Sequence, residues 1–234
     1  MKLYVGTSGY SYKEWKGSFY PEKIPAAEML SYYASRLPAV ELNNTFYRMP
    51  QRSMVESWKT QVPEDFRFSV KAAQRITHFK RLKEVGDETK YMLETVSALE
   101  DRLGVVLFQL PPNMKKDLER LETFLRDLPA ETPAAFEFRH PTWFEDDVIE
   151  LLRSQNRALC VSDTDDLPTN HIDKTADWGY LRLRRVQYSE ADLAEWLQRI
   201  AGQQWKTAFV FFKHEDEGTG PKLAAQFIEL SKTV

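Results

Sequence analysis

Three acidic residues and one histidine stand where they could transfer protons. Glu41, Glu137 and Asp163 lie at or near the ends of short runs of β-branched, aromatic and small residues, and His214 follows another such run. Acid–base chemistry on a sugar needs a pair of carboxylates, and a histidine can exchange protons near pH 7. We therefore predict Glu41, Glu137, Asp163 and His214 as candidate catalytic residues.

Cations and neutral polar groups occupy matching positions in the other runs. Arginine and lysine hold phosphate or carboxylate groups through charge-assisted hydrogen bonds, and aromatic rings after strands can stack on a sugar or a base. The predicted ligand-binding residues are Asn43, Tyr47, Lys71, His78, Gln109, Arg139, Arg182 and Lys213. We expect Arg139 to be the central anion anchor, because its planar fork can bind Glu137 on one edge and a ligand on another.

Metal and thiol chemistry receive little support from the sequence. The four histidines and the single cysteine, Cys160, do not supply a multi-histidine or thiolate site. Cys160 lies in an apolar run, so we expect a buried and inert thiol. No Gly-x-Ser-x-Gly elbow and no glycine-rich phosphate loop follows the first run. We therefore expect no cofactor and no tightly bound metal.

Strand-like runs alternate with amphipathic segments along the chain. The predicted strands are Leu3–Ser8, Val40–Asn43, Phe66–Lys71, Val105–Leu110, Ala134–Arg139, Ala158–Asp163, Tyr180–Arg184 and Thr207–Lys213. The predicted helices are Ala26–Arg36, Arg52–Thr60, Asp87–Leu103, Asp117–Leu128, Asp146–Ser154, Glu190–Ala201 and Pro221–Ser231. Only the connection after the sixth strand, Thr164–Asp177, has no helical pattern.

Eight strand–helix units in one domain-length chain predict an α/β fold, a closed (β/α)8 TIM barrel, rather than an open doubly wound sheet. We predict a single domain over residues 1–234. Period-two alternation turns one face of each strand inward and stacks its polar residues at the C-terminal ends. The predicted inward polar set is Glu41, Asn43, Lys71, Gln109, Glu137, Arg139, Asp163, Arg182, Arg184 and Lys213. Layered ion pairs without chemistry are the alternative explanation of this set.

Composition limits the partners. The chain has 234 residues, 42% of them hydrophobic, and a net charge of −3, so its whole surface does not attract nucleic acid and an anion site must be local. No apolar stretch approaches the ~20 residues of a membrane span, and residues 1–5 lead directly into a strand pattern. We expect a cytoplasmic protein without membrane contact. The sequence leaves its oligomeric state open.

Nine motifs resemble one known family. They are Gly6-Thr7-Ser8-Gly9-Tyr10-Ser11-Tyr12, Trp15-Lys16-Gly17-Ser18-Phe19-Tyr20-Pro21, Val40-Glu41-Leu42-Asn43-Asn44-Thr45-Phe46-Tyr47-Arg48, Phe68-Ser69-Val70-Lys71, Ile76-Thr77-His78, Leu103-Gly104, Gln109-Leu110-Pro111-Pro112, Phe138-Arg139-His140-Pro141-Thr142-Trp143 and Phe211-Phe212-Lys213-His214-Glu215. They resemble the YecE-like family, the domain of unknown function numbered 72, over nearly the whole chain. The resemblance implies a TIM barrel and brings no established activity.

Two functions follow from the predicted barrel mouth. The first is an enzyme, of hydrolase or lyase type, that acts on a small phosphorylated or sugar-containing substrate. The second is a binding protein that holds a nucleotide or a nucleic-acid strand without turnover. We expect a small anionic molecule as the partner in the first case, and a nucleotide or a nucleic acid in the second. Binding of a polymer should weaken steeply with salt, whereas a small substrate should saturate the site as a monomer.

Overall fold

The protein forms a closed barrel of eight parallel strands, each paired with the next along the chain and β8 paired with β1. The computed structural model describes residues 1–166, 172–214 and 216–232. The strands are β1 Lys2–Ser8, β2 Ala39–Leu42, β3 Arg67–Lys71, β4 Leu103–Gln109, β5 Ala134–Glu137, β6 Ala158–Asp163, β7 Trp178–Leu183 and β8 Thr207–Phe212. The predicted (β/α)8 fold is confirmed, with strand ends that differ from the predicted ones by two residues at most.

Helices connect the strands, and all but the short helix α2 (Asn44–Tyr47) cover the outside of the barrel. They are α1 Met29–Ala34, α2 Asn44–Tyr47, α3 Arg52–Thr60, α4 Gly86–Val96, α5 Leu118–Asp127, α6 Asp146–Ser154, α7 Glu190–Gly202 and α8 Thr219–Ser231. The helix predicted over Asp87–Leu103 is shorter: α4 ends at Val96, a 3-10 segment follows, and Leu103 already belongs to β4. None of the helices in the described ranges is long and apolar enough to cross a membrane.

The connection predicted to be irregular after β6 is only partly described. Residues 164–166 and 172–177 contain no helix or strand, in agreement with the prediction. Residues 167–171 lie outside the described residues.

Local sequence explains where helices begin. Ser189 caps α7, because its hydroxyl accepts the backbone N–H of Asp192 while the Asp192 carboxylate accepts the backbone N–H of Ser189. Asp117 caps α5 through a single bond, because its carboxylate accepts the backbone N–H of Arg120. Caps of this kind satisfy N–H groups that have no partner within the helix.

The side chain of Tyr33 bridges the first two strands. Its hydroxyl accepts the backbone N–H of Thr7 at 2.9 Å and donates to the carbonyl of Ala39 at 2.8 Å. Gly6 leaves room for this approach, because a Cβ atom there would lie 1.8 Å from the Ala39 carbonyl oxygen. A buried phenol thus adds a side-chain link between β1 and β2, which are also paired as parallel strands at Gly6 and Ala39.

The barrel interior is apolar toward the N-terminal ends of the strands and charged toward their C-terminal ends. Tyr4, Tyr180, Phe209 and Phe211 face small residues of the other strands, and Cys160 is buried among them, as predicted. Toward the C-terminal ends of the strands the inward positions become polar. The outer faces pack against the helices in two apolar clusters. This division delivers charged side chains to one end of the barrel.

Candidate functional site

Arg182 on β7 is the centre of a buried ion network. Its Nη2 lies 2.8 Å from Oε1 of Glu41 on β2, and its Nη1 lies 2.6 Å from Oε2 of Glu137 on β5. Both carboxylate side chains are 0% exposed and that of Arg182 is 3% exposed. One guanidinium therefore neutralises two carboxylates from different walls of the barrel, which offsets the large cost of burying each charge alone.

Glu41 receives further hydrogen bonds from three sides. Ser8 donates to Oε1 at 2.7 Å, Asn43 donates to the same oxygen at 3.0 Å, and Tyr180 donates to Oε2 at 2.6 Å. The hydroxyl of Ser69 lies 2.6 Å from that of Tyr180, whose proton is already given to Glu41, so Ser69 is the donor. The carboxylate of Glu41 is fully satisfied in the barrel interior.

Glu137 is surrounded by arginines. Oε1 of Glu137 binds Nε of Arg139 at 3.0 Å and lies 3.6 Å from Nη1 of Arg184. Gln109 connects the arginines, because its Oε1 accepts from Arg139 Nη2 at 3.2 Å and from Arg182 Nη1 at 3.4 Å. The side chains of Arg139 and Arg184 keep 33% and 19% of their surface exposed. These two guanidinium groups form the upper, accessible part of the network.

The two buried glutamates are held as anions. Burial favours their neutral forms, but Arg182, Arg139 and Arg184 together lower the pKa of Glu137 to about 2. Arg182 and the hydrogen bonds from Tyr180 and Ser8 likewise overcome burial and lower the pKa of Glu41. A general acid or base near neutral pH needs a pKa near the working pH. The geometry therefore fits the two glutamates better as counter-ions that fix Arg182 than as the acid and base expected from the sequence.

Lys71, at the end of β3, has no carboxylate partner in the part of the chain that the structure describes. No hydrogen bond or ion pair joins its ammonium to any described residue, and Nζ lies 4.3 Å from the centre of the Phe46 ring. Burial lowers the pKa of Lys71 to about 8, aided by Arg182 and Arg139 and opposed by Glu137 and Glu41. Lys71 is thus a partly buried amine whose pKa lies about one unit above neutral pH.

His78 lies next to this lysine on an unusual segment. Residues Arg75–Phe79 form a single π-helical turn, a conformation that occurs frequently at functional sites. Positive φ angles at Arg81, Leu82 and Glu84 follow it. The His78 ring packs edge-on against Phe46, and its Nδ1 lies 2.9 Å from the Thr77 hydroxyl. Burial and the charges of Lys71 and Arg139 lower the pKa of His78, so the ring is neutral at pH 7.

Two predicted catalytic residues do not join the cluster. The side chain of Asp163 is on the outer face of β6, where it accepts the Tyr188 hydroxyl at 2.9 Å and lies 2.7 Å from Nε of Arg185. The expectation that it faces inward is wrong, because Cys160 points inward and the residue three positions later points outward. His214 contacts the loop after β7 instead: its Nε2 lies 2.5 Å from the carbonyl of Arg185, and its ring lies edge-on to that of Tyr188.

The remaining predicted residues lie at the edge of the mouth. Tyr47 on α2 is 74% exposed, and Lys213 follows β8 as an exposed residue. Neither is among the residues that contact Arg182. The structure therefore unites Glu41, Asn43, Gln109, Glu137, Arg139 and Arg182 directly, with Lys71 and His78 beside them.

Sequence reasoning did not assign site roles to some members of the cluster. Tyr180 shares the inward face of β7 with Arg182 and with Arg184, which the predicted inward set already contained, and Ser69 shares that of β3 with Lys71, so the alternation of the strands contained the signal. Phe46 carried no such signal, because it lies on the short helix α2 rather than on a strand. Its position against Lys71 and His78 is visible only in the folded chain.

Metal ligands are not gathered at this site. Within residues 1–166, 172–214 and 216–232, no three side chains of His, Cys, Asp or Glu are grouped so that they could hold a metal ion.

The closed barrel with charged residues at the C-terminal ends of its strands defines a TIM-barrel protein, a class whose ligands bind at that end. The chain belongs to the family described as "Protein of unknown function DUF72", which matches residues 4–233. It is 24% identical to the UPF0759 protein YunF of Bacillus subtilis over 97% of this chain and 94% of YunF. It is 32% identical to the UPF0759 protein YecE of Escherichia coli over 61% of this chain and 50% of YecE.

A solved structure shares the whole architecture. The DUF72 family protein from Thermotoga maritima is 28% identical and superimposes with a TM-score of 0.82, covering 99% of this chain and 100% of its own. The family resemblance seen in the sequence motifs is therefore confirmed, and the fold it implies is that of the structure.

Proposed function

We propose that this protein is an enzyme, of lyase or hydrolase type, that binds a small phosphorylated or sugar-containing anion at the mouth of the barrel. The observation that carries the proposal is the excess of cations over carboxylates there. Within the described part of the chain, Arg182, Arg139, Arg184 and Lys71 converge on two carboxylates, those of Glu41 and Glu137.

The accessible part of the network favours an external anion. Arg182 is neutralised by its ion pairs with the two glutamates. Arg139 and Arg184, in contrast, share one oxygen of Glu137 and stay partly exposed. Burial and the neighbouring Arg182 charge lower the pKa of Arg184, as expected for a cation short of counter-charge. A phosphate or carboxylate group would supply that charge and accept bidentate hydrogen bonds from the arginines.

The proton chemistry of the proposed enzyme falls to groups other than the glutamates. His78 and Lys71 are the titratable groups beside the network whose pKa values are moved toward or below the neutral range. Groups poised in this way can exchange protons with a substrate near pH 7. Glu41 and Glu137 would then act indirectly, by fixing the arginines that bind the anion.

Adjacent arginines provide a matched test of anion binding. Arg184 faces Glu137 inside the barrel, whereas Arg185 points outward to Asp163 and Asp192. We expect inorganic phosphate to bind the wild-type protein in calorimetry, and Arg184→Met to weaken it about tenfold or more. Arg185→Met removes the same charge from the neighbouring position and should leave phosphate affinity within about twofold. An equal loss of phosphate affinity in both variants would mean that the effect follows from the change in net charge, and it would contradict the proposed site.

A second function is favoured by exposed aromatic side chains near the mouth. Tyr47 after β2 is 74% exposed and Phe79 after β3 is 71% exposed, and the segment around Phe79 carries Arg75, Lys80 and Arg81. Aromatic platforms beside cations can stack bases of a nucleotide or a single strand. Under this alternative, Tyr47→Ala and Phe79→Ala should weaken oligonucleotide binding, and affinity should rise with strand length and fall steeply with salt.

A further inference from the structure

We propose that Lys71 is a nucleophile that forms an imine with an aldehyde or ketone group of the substrate. This inference rests on the proposed function above and deepens it, because it names the substrate class: a small anion that carries a reactive carbonyl. It also gives Lys71 a role different from that of the arginines around it.

The position of Lys71 suits attack on a bound molecule. It is the last residue of β3 and shares the inward face with Ser69, so its side chain rises from the barrel interior toward the mouth. Its Nζ lies against the Phe46 ring rather than against a carboxylate. Both buried carboxylates are already bound by arginines. The amine is therefore held in place by packing while its nitrogen stays available to a ligand.

The protonation state of Lys71 also suits this chemistry, because only a neutral amine attacks a carbonyl. Burial and the charges of Arg182 and Arg139 lower its pKa to about 8, although Glu137 and Glu41 act in the opposite direction. At about pH 7.5 roughly one Lys71 in four is then neutral, against about one in a thousand for a lysine with the ordinary pKa of 10.5. Desolvation next to other cations is a known way to activate a lysine for imine formation.

The proposed step balances without an additional reagent. Nζ forms a bond to the carbonyl carbon, the carbonyl π electrons move to oxygen, and that oxygen takes up a proton to give a carbinolamine. The nitrogen then loses a proton, the hydroxyl takes up a second proton, and the nitrogen lone pair expels it as water, which leaves a protonated imine; the net reaction takes up one proton. His78, neutral and close enough for the Lys71 charge to lower its pKa, is the group suited to carry these protons. Arg139 and Arg184 would hold the anionic group of the same molecule.

A protonated imine would explain the lyase branch of the proposed function. Its positive nitrogen withdraws electrons from the imine carbon. A bond made by the carbon next to the imine carbon can therefore break, and its electron pair stays on the substrate. An ammonium that only binds anions has no such effect. The two roles of Lys71 therefore predict different covalent chemistry.

Reductive trapping separates these roles. The full-length protein at about pH 7.5 is incubated with pyridoxal 5′-phosphate, an aldehyde that carries a phosphate, and then treated with sodium borohydride, whose hydride converts an imine to a stable secondary amine. Peptide mass spectrometry then locates the modified lysines. We expect Lys71 to be modified about tenfold more than exposed Lys90, and inorganic phosphate to protect it. Lys90→Met is the matched control and should leave labelling at Lys71 unchanged, whereas Lys71→Arg should abolish the preferred site.

The outcomes distinguish this inference from the function on which it rests. Labelling of Lys71 no stronger than that of Lys90, in a protein that binds phosphate normally, would overturn the imine and leave the anion site standing. Pyridoxal, which lacks the phosphate, should label Lys71 about tenfold less than its phosphorylated form. Equal labelling by both aldehydes, without protection by phosphate, would overturn the anionic substrate and with it the proposed function.

Discussion

Arg182 and Glu41 form an ion pair of 2.8 Å across the barrel, from β7 to a strand three positions away around the wall, and both side chains are almost completely buried. The same guanidinium also binds Glu137. Its removal therefore leaves two carboxylates without their main counter-charge inside the protein.

We expect Arg182→Met to lower the free energy of unfolding by about 3–5 kcal/mol, because breaking a buried ion pair by removing one partner leaves an uncompensated charge. Urea unfolding at neutral pH measures the loss. Arg153→Met is the matched control, since Arg153 pairs with Glu150 at 2.7 Å but both side chains are at least half exposed. That variant should change stability by less than about 1 kcal/mol. Similar values for the two variants would contradict a stabilising role for the buried network.

Acid should reveal the anionic state of Glu137. Its pKa is lowered in the folded protein from 4.5 to about 2, so the unfolded chain binds more protons between these values. The stabilisation is complete above about pH 4.5 and is lost as the pH falls toward about 2. The stability difference between wild type and Glu137→Gln should therefore shrink by roughly 3 kcal/mol between pH 7 and pH 2.

Denaturant titrations over a pH series test this expectation. Glu94→Gln removes a solvent-exposed carboxylate and controls for the loss of one titrating group. A difference between wild type and Glu137→Gln that stays constant with pH would show that Glu137 does not titrate abnormally.

Tyr33→Phe should weaken the seam between β1 and β2. The change removes only the hydroxyl, and with it the buried hydrogen bonds from the N–H of Thr7 and to the carbonyl of Ala39. We expect a loss of about 1–3 kcal/mol in thermal or urea unfolding. Tyr32→Phe is the neighbouring control, because no hydrogen bond joins the Tyr32 hydroxyl to a described residue. Equal effects of the two substitutions would contradict the bridging role.

The fold was predictable because the alternation of residues within a strand indicates which side chains face the barrel interior and which face the helices. On β5, for example, Ala135 and Glu137 face inward while Ala134 and Phe136 pack outside, as the alternation indicates. Segment ends were less predictable. Arg139 was expected to end β5, but the strand stops at Glu137, so hydrogen bonds to Glu137 and Gln109 rather than the sheet ladder place the Arg139 side chain.

The site was only partly predictable, because the alternation gives no direction where both faces of a strand are apolar. β6 is apolar on both faces, with Leu159 and Val161 outside and Ala158 and Cys160 inside, so its composition does not say which way Asp163 points. The partners that hold Asp163 lie on the loop after β7. The π-helical turn that carries His78 has no periodic signal, because its conformation follows from packing against distant residues such as Phe46.

The charge of Lys71 should destabilise the fold at neutral pH. Its pKa is lowered from 10.5 to about 8, so the unfolded chain binds the additional proton between these values and stability rises as the pH increases through that range. We expect Lys71→Met to stabilise the protein at pH 7 by about 1–2 kcal/mol, less than the full shift implies because the amine is partly exposed. This gain should disappear near pH 10.5, whereas Lys90→Met, at an exposed position, should have little effect at either pH. Unfolding of the three proteins at both pH values measures it. A loss of stability in Lys71→Met at pH 7 would mean that the ammonium is a needed counter-ion of Glu137 or Glu41, and would remove the reason to regard Lys71 as a group kept for a ligand.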